Sequence, residues 1–181
     1  GTGLRNNWNG EAVAGLTYSG LQTSANAMQA PSGFGARTYV YRTMTTDPFL
    51  NLRIGDANDA DFGKDGDTIW LSFLMNTSAV GDGIRSSMRI GDGSTDIAVG
   101  VNSVAVSGGS ADKFTMDLGT LGVASGSNTS SVVATADTTY LVVGSIAFQS
   151  GGDTMNWWIN PTIGGTLGTA DISLTTTNSM G

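Results

Sequence analysis

Two apolar strands joined by a short polar turn are predicted between residues 139 and 162, and this hairpin constrains the fold more than any other part of the chain. The first predicted strand covers residues 140–148 and the second covers residues 153–160, with Gln-Ser-Gly-Gly between them. Apolar runs bounded by Gly, Ser and Asp are the sequence signal of a β-hairpin. We therefore expect the rest of the chain to form sheet beside this hairpin or over it.

The two strands of the hairpin differ in the faces that they bury. Strand 140–148 is apolar on both faces, which predicts a central strand covered on both sides. Strand 153–160 alternates between an apolar and a polar face. Its apolar face carries Met155, Trp157 and Ile159, and its polar face carries Thr154, Asn156, Trp158 and Asn160.

Other segments repeat the strand pattern at intervals along the chain. Residues 68–75 have apolar side chains at every odd position, which predicts a second central strand that partners 140–148 within a sheet or between sheets. Residues 86–90 and 97–101 predict another hairpin. Weaker strands are expected at 12–18, 37–42, 104–106, 113–118, 132–134 and 170–177. Strands without crossover helices predict an all-β fold, an antiparallel two-sheet β-sandwich.

Composition supports this fold class and excludes several functions. The chain of 181 residues has a formal net charge of −7 and only one glutamate and two lysines. So few helix-forming residues beside abundant Gly, Ser, Thr and Asn disfavour helices. The acidity and the absence of a basic stripe argue against nucleic acid and anionic membranes as partners, and no apolar run is long enough for membrane insertion as a helix.

The chain contains no histidine and no cysteine. It therefore lacks the commonest general base, the commonest transition-metal ligand and any thiol nucleophile. A Ser-His-Asp triad is impossible.

Four blocks of sequence carry a resemblance to a known family. They are GDTIWLSFL at 66–74, YLVVGSIAF at 140–148, GDT at 152–154 and WINP at 158–161. In sequence and spacing they resemble the LamG-like, concanavalin A-like jelly-roll domains of bacterial secreted and surface proteins. The resemblance implies one such domain over residues 1–181. Its motifs are strand and turn signatures, which specify a fold rather than an activity.

The resemblance also implies strands that this sequence does not show. Such domains usually have one more strand before a segment like 1–8 and one more after a segment like 170–174. Either the chain is a fragment, or the two sheet edges are completed in another way, for example by a strand from a neighbouring chain.

The acidic segment 56–67 is a candidate cation site. Calcium prefers several carboxylate and carbonyl oxygens, and laminin-G-type domains often bind it at the rim of the sandwich. The spacing is not that of an EF-hand, and the alternative is a solvated loop whose Asp and Gly residues form turns. The candidate metal ligands are Asp56, Asn58, Asp59, Asp61 and Asp65.

Aromatic and amide side chains make a second candidate site, because sugar rings stack on flat aromatic rings while polar side chains fix the hydroxyl groups. Trp158 with Asn156 and Asn160 is the best such group, and Trp8 in a Gly/Asn-rich loop is a further candidate. Tryptophan in a sandwich is more often core, and we assign Trp70 and Trp157 to structure.

Catalysis is not expected. Glycosidases need a pair of carboxylates, and neither central strand contains an acid. We expect a non-catalytic bacterial extracellular or cell-surface module that binds carbohydrate or another surface polymer, with calcium as its only expected cofactor. The alternative is a structural subunit of a surface layer or fibre that self-assembles through open sheet edges.

Overall fold

The computed structural model describes residues 11–21, 26–29, 53–54, 61–81, 86–91, 96–101, 112–118 and 123–179. The chain divides into two units, Gly1–Phe62 and Gly63–Gly181. The expectation of a single domain over residues 1–181 stays a prediction.

The described residues of the first unit include two short antiparallel strand pairs. Strand β1 (Glu11–Ala14) pairs with β2 (Asn26–Gln29), and β3 (Arg53–Ile54) pairs with β4 (Asp61–Phe62). A strand at β2 is unexpected, because the surrounding Ser, Ala, Asn and Gly residues are typical of a loop. The local sequence does not indicate a strand, and β2 is defined by its antiparallel pairing with β1.

The described part of the second unit forms two antiparallel sheets. Its strands in chain order are β5 (Thr68–Asn76), β6 (Ser86–Gly91), β7 (Asp96–Val101), β8 (Lys113–Asp117), β9 (Val123–Ser127), β10 (Thr129–Val133), β11 (Thr139–Ala147), β12 (Thr154–Ile159) and β13 (Ile172–Thr176). One sheet has the order β5-β11-β12-β13-β9 and the other β10-β8-β7-β6. No helix occurs among the described residues, so the prediction of an all-β antiparallel sandwich is confirmed.

The core lies between these two sheets. The five-stranded sheet contributes side chains that are completely or almost completely buried, including Val142, Ile146, Met155, Trp157 and Ile172. From the other sheet, the ring of Phe114 meets Tyr140 edge to face, with ring centroids 5.0 Å apart. Aromatic pairs prefer this edge-to-face arrangement.

The predicted hairpin is confirmed as β11 and β12. The turn closes with a hydrogen bond from the Gly152 amide to the Gln149 carbonyl oxygen at 3.3 Å, and Gly151 has a φ of 94°. A positive φ at the third turn position is easiest for glycine. The buried Asp153 accepts a hydrogen bond from the Gln149 amide through Oδ1 at 3.0 Å. The Asp and Gly residues therefore fix the turn.

Strand β5 pairs directly with β11 along its whole length, from Thr68 opposite Ala147 to Asn76 opposite Thr139. The two strands are thus neighbours in one sheet. The expectation that β5 is central is wrong among the described strands, where β5 lies at one edge of its sheet. The sequence of β5 is strongly apolar only at its odd positions, and a strand with one apolar face fits the edge of a sheet as well as its centre.

The remaining strand predictions have mixed outcomes. The 86–90 and 97–101 hairpin is confirmed as β6 and β7, and the C-terminal strand as β13. Strand β9 was not predicted, since VASGS offers no apolar alternation. Predicted strands 37–42 and 104–106 lie outside the described residues. No helix in the part of the chain that the structure describes has the length and apolarity to cross a membrane.

Candidate binding face

The side of the five-stranded sheet that points away from the core is named here the outer face. The antiparallel register aligns its side chains in rows across the strands. One row contains Trp70, Ser145, Asn156 and Ser173, and the next contains Ser72, Val143 and Trp158. Two tryptophans from different strands are therefore brought to the same patch, on either side of β11.

The indoles of Trp70 and Trp158 stack on each other. Their ring centroids are 5.8 Å apart and their planes differ by 18°. Ser145, which lies directly opposite Trp70 in the row next to that of Trp158, is only 6% exposed, as expected where indoles lean over a strand. Trp70 itself is 58% exposed. The pair thus presents aromatic surface to solvent while each ring supports the other.

The segment between β12 and β13 fixes Trp158 in place. Its indole Nε1 donates a hydrogen bond to the Gly168 carbonyl oxygen at 2.8 Å. The same segment is held at its end by Asp171, whose Oδ2 accepts from the Ile159 amide at 2.7 Å. Because its N–H is already used, Trp158 offers a ligand its ring rather than a hydrogen bond.

Amide and hydroxyl groups lie beside the tryptophans. The Ser173 hydroxyl donates to Asn156 Oδ1 at 2.7 Å, and the hydroxyls of Thr154 and Thr175 lie 3.2 Å apart. The carboxamide of Asn156 retains its two N–H donors for other partners, since only its oxygen is used in this contact. Asn156 therefore lies on the outer face next to the aromatic pair, and its role in ligand binding stays a prediction.

Asn160 has a structural role that the sequence did not reveal. It is exposed and has a φ of 55°, a conformation that asparagine tolerates better than most residues. Its Oδ1 accepts from the Leu141 amide at 2.9 Å, while its own amide donates to the Leu141 carbonyl oxygen at 2.7 Å. The side-chain oxygen thus extends the β11–β12 ladder, which leaves only the amide nitrogen for a ligand.

On the four neighbouring strands β5, β11, β12 and β13, the outer face carries no charged side chain. Its members are Thr68, Trp70, Ser72, Leu74, Asn76, Thr139, Leu141, Val143, Ser145, Ala147, Thr154, Asn156, Trp158, Ser173 and Thr175. On a chain with a net charge of −7, an uncharged surface of hydroxyl, amide, indole and aliphatic groups differs from the average surface.

Trp70 is the residue that sequence reasoning assigned wrongly. The assignment of both Trp70 and Trp157 to structure is right for the fully buried Trp157, but Trp70 is 58% exposed. The apolar odd positions of β5 already put Trp70 on the opposite face. The alternation therefore indicates an outward-facing Trp70, whereas the general preference of tryptophan for protein cores favours the opposite assignment.

The predicted cation site is only partly covered by the described residues. Asp56, Asn58 and Asp59 lie outside them, as does Trp8, the further candidate for the aromatic site. Asp61 begins β4 opposite Ile54. Asp65 is exposed in the turn before β5. The described residues contain no group of three or more acidic side chains that could hold a metal ion, although the Oδ2 atom of Asp67 is buried without a hydrogen-bond partner.

No family model, curated protein or solved structure matches the chain. The fold alone therefore defines its class, an antiparallel two-sheet β-sandwich with an uncharged, tryptophan-bearing outer face. The LamG-like resemblance stays a prediction.

Proposed function

We propose that this chain is a non-catalytic extracellular module of a bacterial protein and binds neutral carbohydrate on its outer face. The observation that carries the proposal is the exposed Trp70 stacked on Trp158 within a face of hydroxyl and amide groups. Aromatic rings contact the C–H faces of sugars, and neighbouring polar groups orient the hydroxyls.

The charge distribution favours a neutral glycan over a charged one. The outer face offers no basic residue to pair with a sulfate, phosphate or uronate group, and the chain as a whole repels polyanions. A polycationic polymer would find no carboxylate there either. Hydroxyl-rich, uncharged chains are the surface polymers that match this face.

The composition of the outer face also supports a non-catalytic role. Hydrolysis of a glycosidic bond uses two carboxyl groups, one on each side of the bond. On strands β5, β11, β12 and β13 the outer face presents none, so a sugar bound over Trp70 would meet indole, hydroxyl, amide and aliphatic groups but no carboxylate. Retention without cleavage is the expected result.

Affinity electrophoresis in gels containing neutral polysaccharides tests the proposal, with polygalacturonate as the acidic comparison. Trp70→Ala should weaken binding about tenfold, which corresponds to about 1.4 kcal/mol of lost stacking. Trp158→Ala should weaken it similarly, because it removes both aromatic surface and the support of Trp70. The matched control is Val133→Ala, since Val133 is 51% exposed on the other sheet.

Two results would contradict the proposal. One is retention of full affinity by both tryptophan variants while their folds remain intact. The other is equal binding of the wild type to neutral and acidic polymers with no effect of Trp70→Ala, which would locate recognition elsewhere.

Calcium is the cofactor that fits the acidic segment 56–67, and its binding is a separate proposal. The unpartnered Oδ2 of Asp67 is an acceptor that a hard cation would satisfy. A chelator should then lower the melting temperature of the chain and added calcium should restore it. An unchanged melt would exclude a structural calcium ion.

A further inference from the structure

Within the part of the chain that the structure describes, the edge strand β5 lacks the features that normally protect a sheet edge. Among the described strands it pairs only with β11, and its nine residues, TIWLSFLMN, include no charged residue and no proline. Natural edges are usually shortened, charged, bulged or covered, because their free N–H and C=O groups attract another strand.

Strand β5 also leaves apolar surface uncovered on both sides of the sheet. On the outer face Trp70 is 58% exposed, and on the core side Ile69, Leu71 and Phe73 are only partly buried. The core-facing residues of the neighbouring strands β11 and β12 are almost fully buried. The sandwich is therefore less complete at β5 than at its centre.

We propose that a second copy of this chain adds to the open edge of β5, with the two β5 strands antiparallel about a two-fold axis at Ser72. An axis through the middle residue gives the longest overlap of the two strands. Isologous two-fold contacts of this kind are the commonest in soluble oligomers. The proposal does not depend on carbohydrate binding.

The sequence of β5 is complementary to itself in this register. On the core side, Ile69 of one copy lies opposite Met75 of the other, and Leu71 lies opposite Phe73. On the outer face, Trp70 lies opposite Leu74, Ser72 opposite Ser72 and Thr68 opposite Asn76. Every pair thus matches apolar with apolar or polar with polar, and such cross-strand pairs stabilise a sheet.

Charge does not oppose the pairing. The charged residues nearest to β5 are Lys64, Asp65 and Asp67, all before its first residue. In the proposed register Asp67 faces Thr77 and Asp65 faces Ala79 of the other copy, so that no two acids are directly opposed. The uncharged β5 favours a second copy over a strongly basic or acidic peptide, which would find no complementary charge there.

Light scattering on the full chain tests the proposal. At about 100 µM the wild type should have twice the chain mass, and the mass should fall on dilution, as mass action requires. Ser72→Lys places two like charges directly opposite each other and should give a monomer. The control Ser125→Lys alters an exposed serine of β9, at the opposite edge of the same sheet, and should stay dimeric.

A covalent test avoids any dependence on a lysine variant that fails to fold. Because the chain has no cysteine, Ser72→Cys introduces a single thiol. In the proposed pairing the two Cα atoms are about 4.5–5.5 Å apart, within the range that a disulfide bond spans, so mild oxidation should form one. Ser125→Cys should cross-link much more slowly. A monomeric wild type, equal cross-linking of the two variants, or a dimer that only Ser125→Lys disrupts would overturn the proposal.

Discussion

Gly144 is a core residue where one added methyl group should be costly, because the space beside it is filled by a neighbouring side chain. It lies directly opposite Trp157 in the β11–β12 ladder. A Cβ built on Gly144 would lie 2.3 Å from both Cε3 and Cζ3 of Trp157, whereas ordinary contacts begin at 3.4 Å. The six-membered ring of the indole therefore occupies the space that any other residue would need.

The indole has little freedom to make room. Trp157 is completely buried, and its ring also meets Phe73 edge to face with centroids 6.5 Å apart. The ring would have to move by roughly 1 Å, through an off-rotamer side chain or a wider separation of the two central strands. Overpacking of a well-packed core costs up to about 3 kcal/mol. We expect Gly144→Ala to lose that much stability and to lower Tm by about 6–12 °C.

Urea unfolding followed by tryptophan fluorescence measures this loss. The matched control is Gly168→Ala, because a Cβ at Gly168 meets no atom within 4 Å. That variant should change the free energy of unfolding by less than about 0.5 kcal/mol. Equal effects of the two glycine substitutions would refute the steric argument.

A second substitution separates the clash from other causes. Trp157→Phe replaces the indole with a smaller phenyl ring that lacks the Cε3 and Cζ3 atoms, and it also removes an indole N–H that is buried without a hydrogen-bond partner. Loss of this unpaired N–H partly offsets the cost of the cavity that the substitution leaves. We expect a net decrease of about 1 kcal/mol in the free energy of unfolding. In the Trp157→Phe background, Gly144→Ala should cost much less, with a coupling of about 2 kcal/mol. Additive losses would show that the indole is not the obstacle.

Two further predictions concern polar groups at the ends of the central hairpin. Asp153→Ala removes the buried acceptor of the Gln149 amide and should lower the free energy of unfolding by about 1–3 kcal/mol. Asp153→Asn keeps an acceptor oxygen and should lower it less. Thermal melts of both variants check this order. Asn160→Ala loses both the acceptor of the Leu141 amide and the tolerance for a positive φ. It should therefore destabilise the fold more than Asn160→Gly, which loses only the acceptor. Equal free energies of unfolding for the two variants would contradict this.

The face pattern of the strands could be predicted from sequence. In β5 and β12 the period-two alternation assigns each side chain to one side of the sheet, whatever the neighbouring strand is. That local rule was sufficient for the β11–β12 hairpin and for placing Trp157 in the core. It also located Asn156 and Trp158 on the outer face.

Local patterns did not identify strands that depend on a partner for their stability. Strand β9 has too few apolar residues to be recognised, and it forms because β13 offers it a ladder from Ser173 to Thr176. The same holds for β2, which lies in a segment with the composition of a loop. The ladder to a neighbouring strand defines both strands, because neither local sequence carries an apolar alternation.

The sequence by itself therefore determined the all-β class, the central hairpin and the face on which most side chains lie, because these follow from local alternation and turn chemistry. Only the tertiary structure decided which strands are neighbours. The stack of Trp70 on Trp158 joins residues that are far apart in the chain, and it exists because β5 and β12 both pair with β11 in one register. Strand order depends on the packing of the whole sandwich, and the candidate binding face depends on strand order.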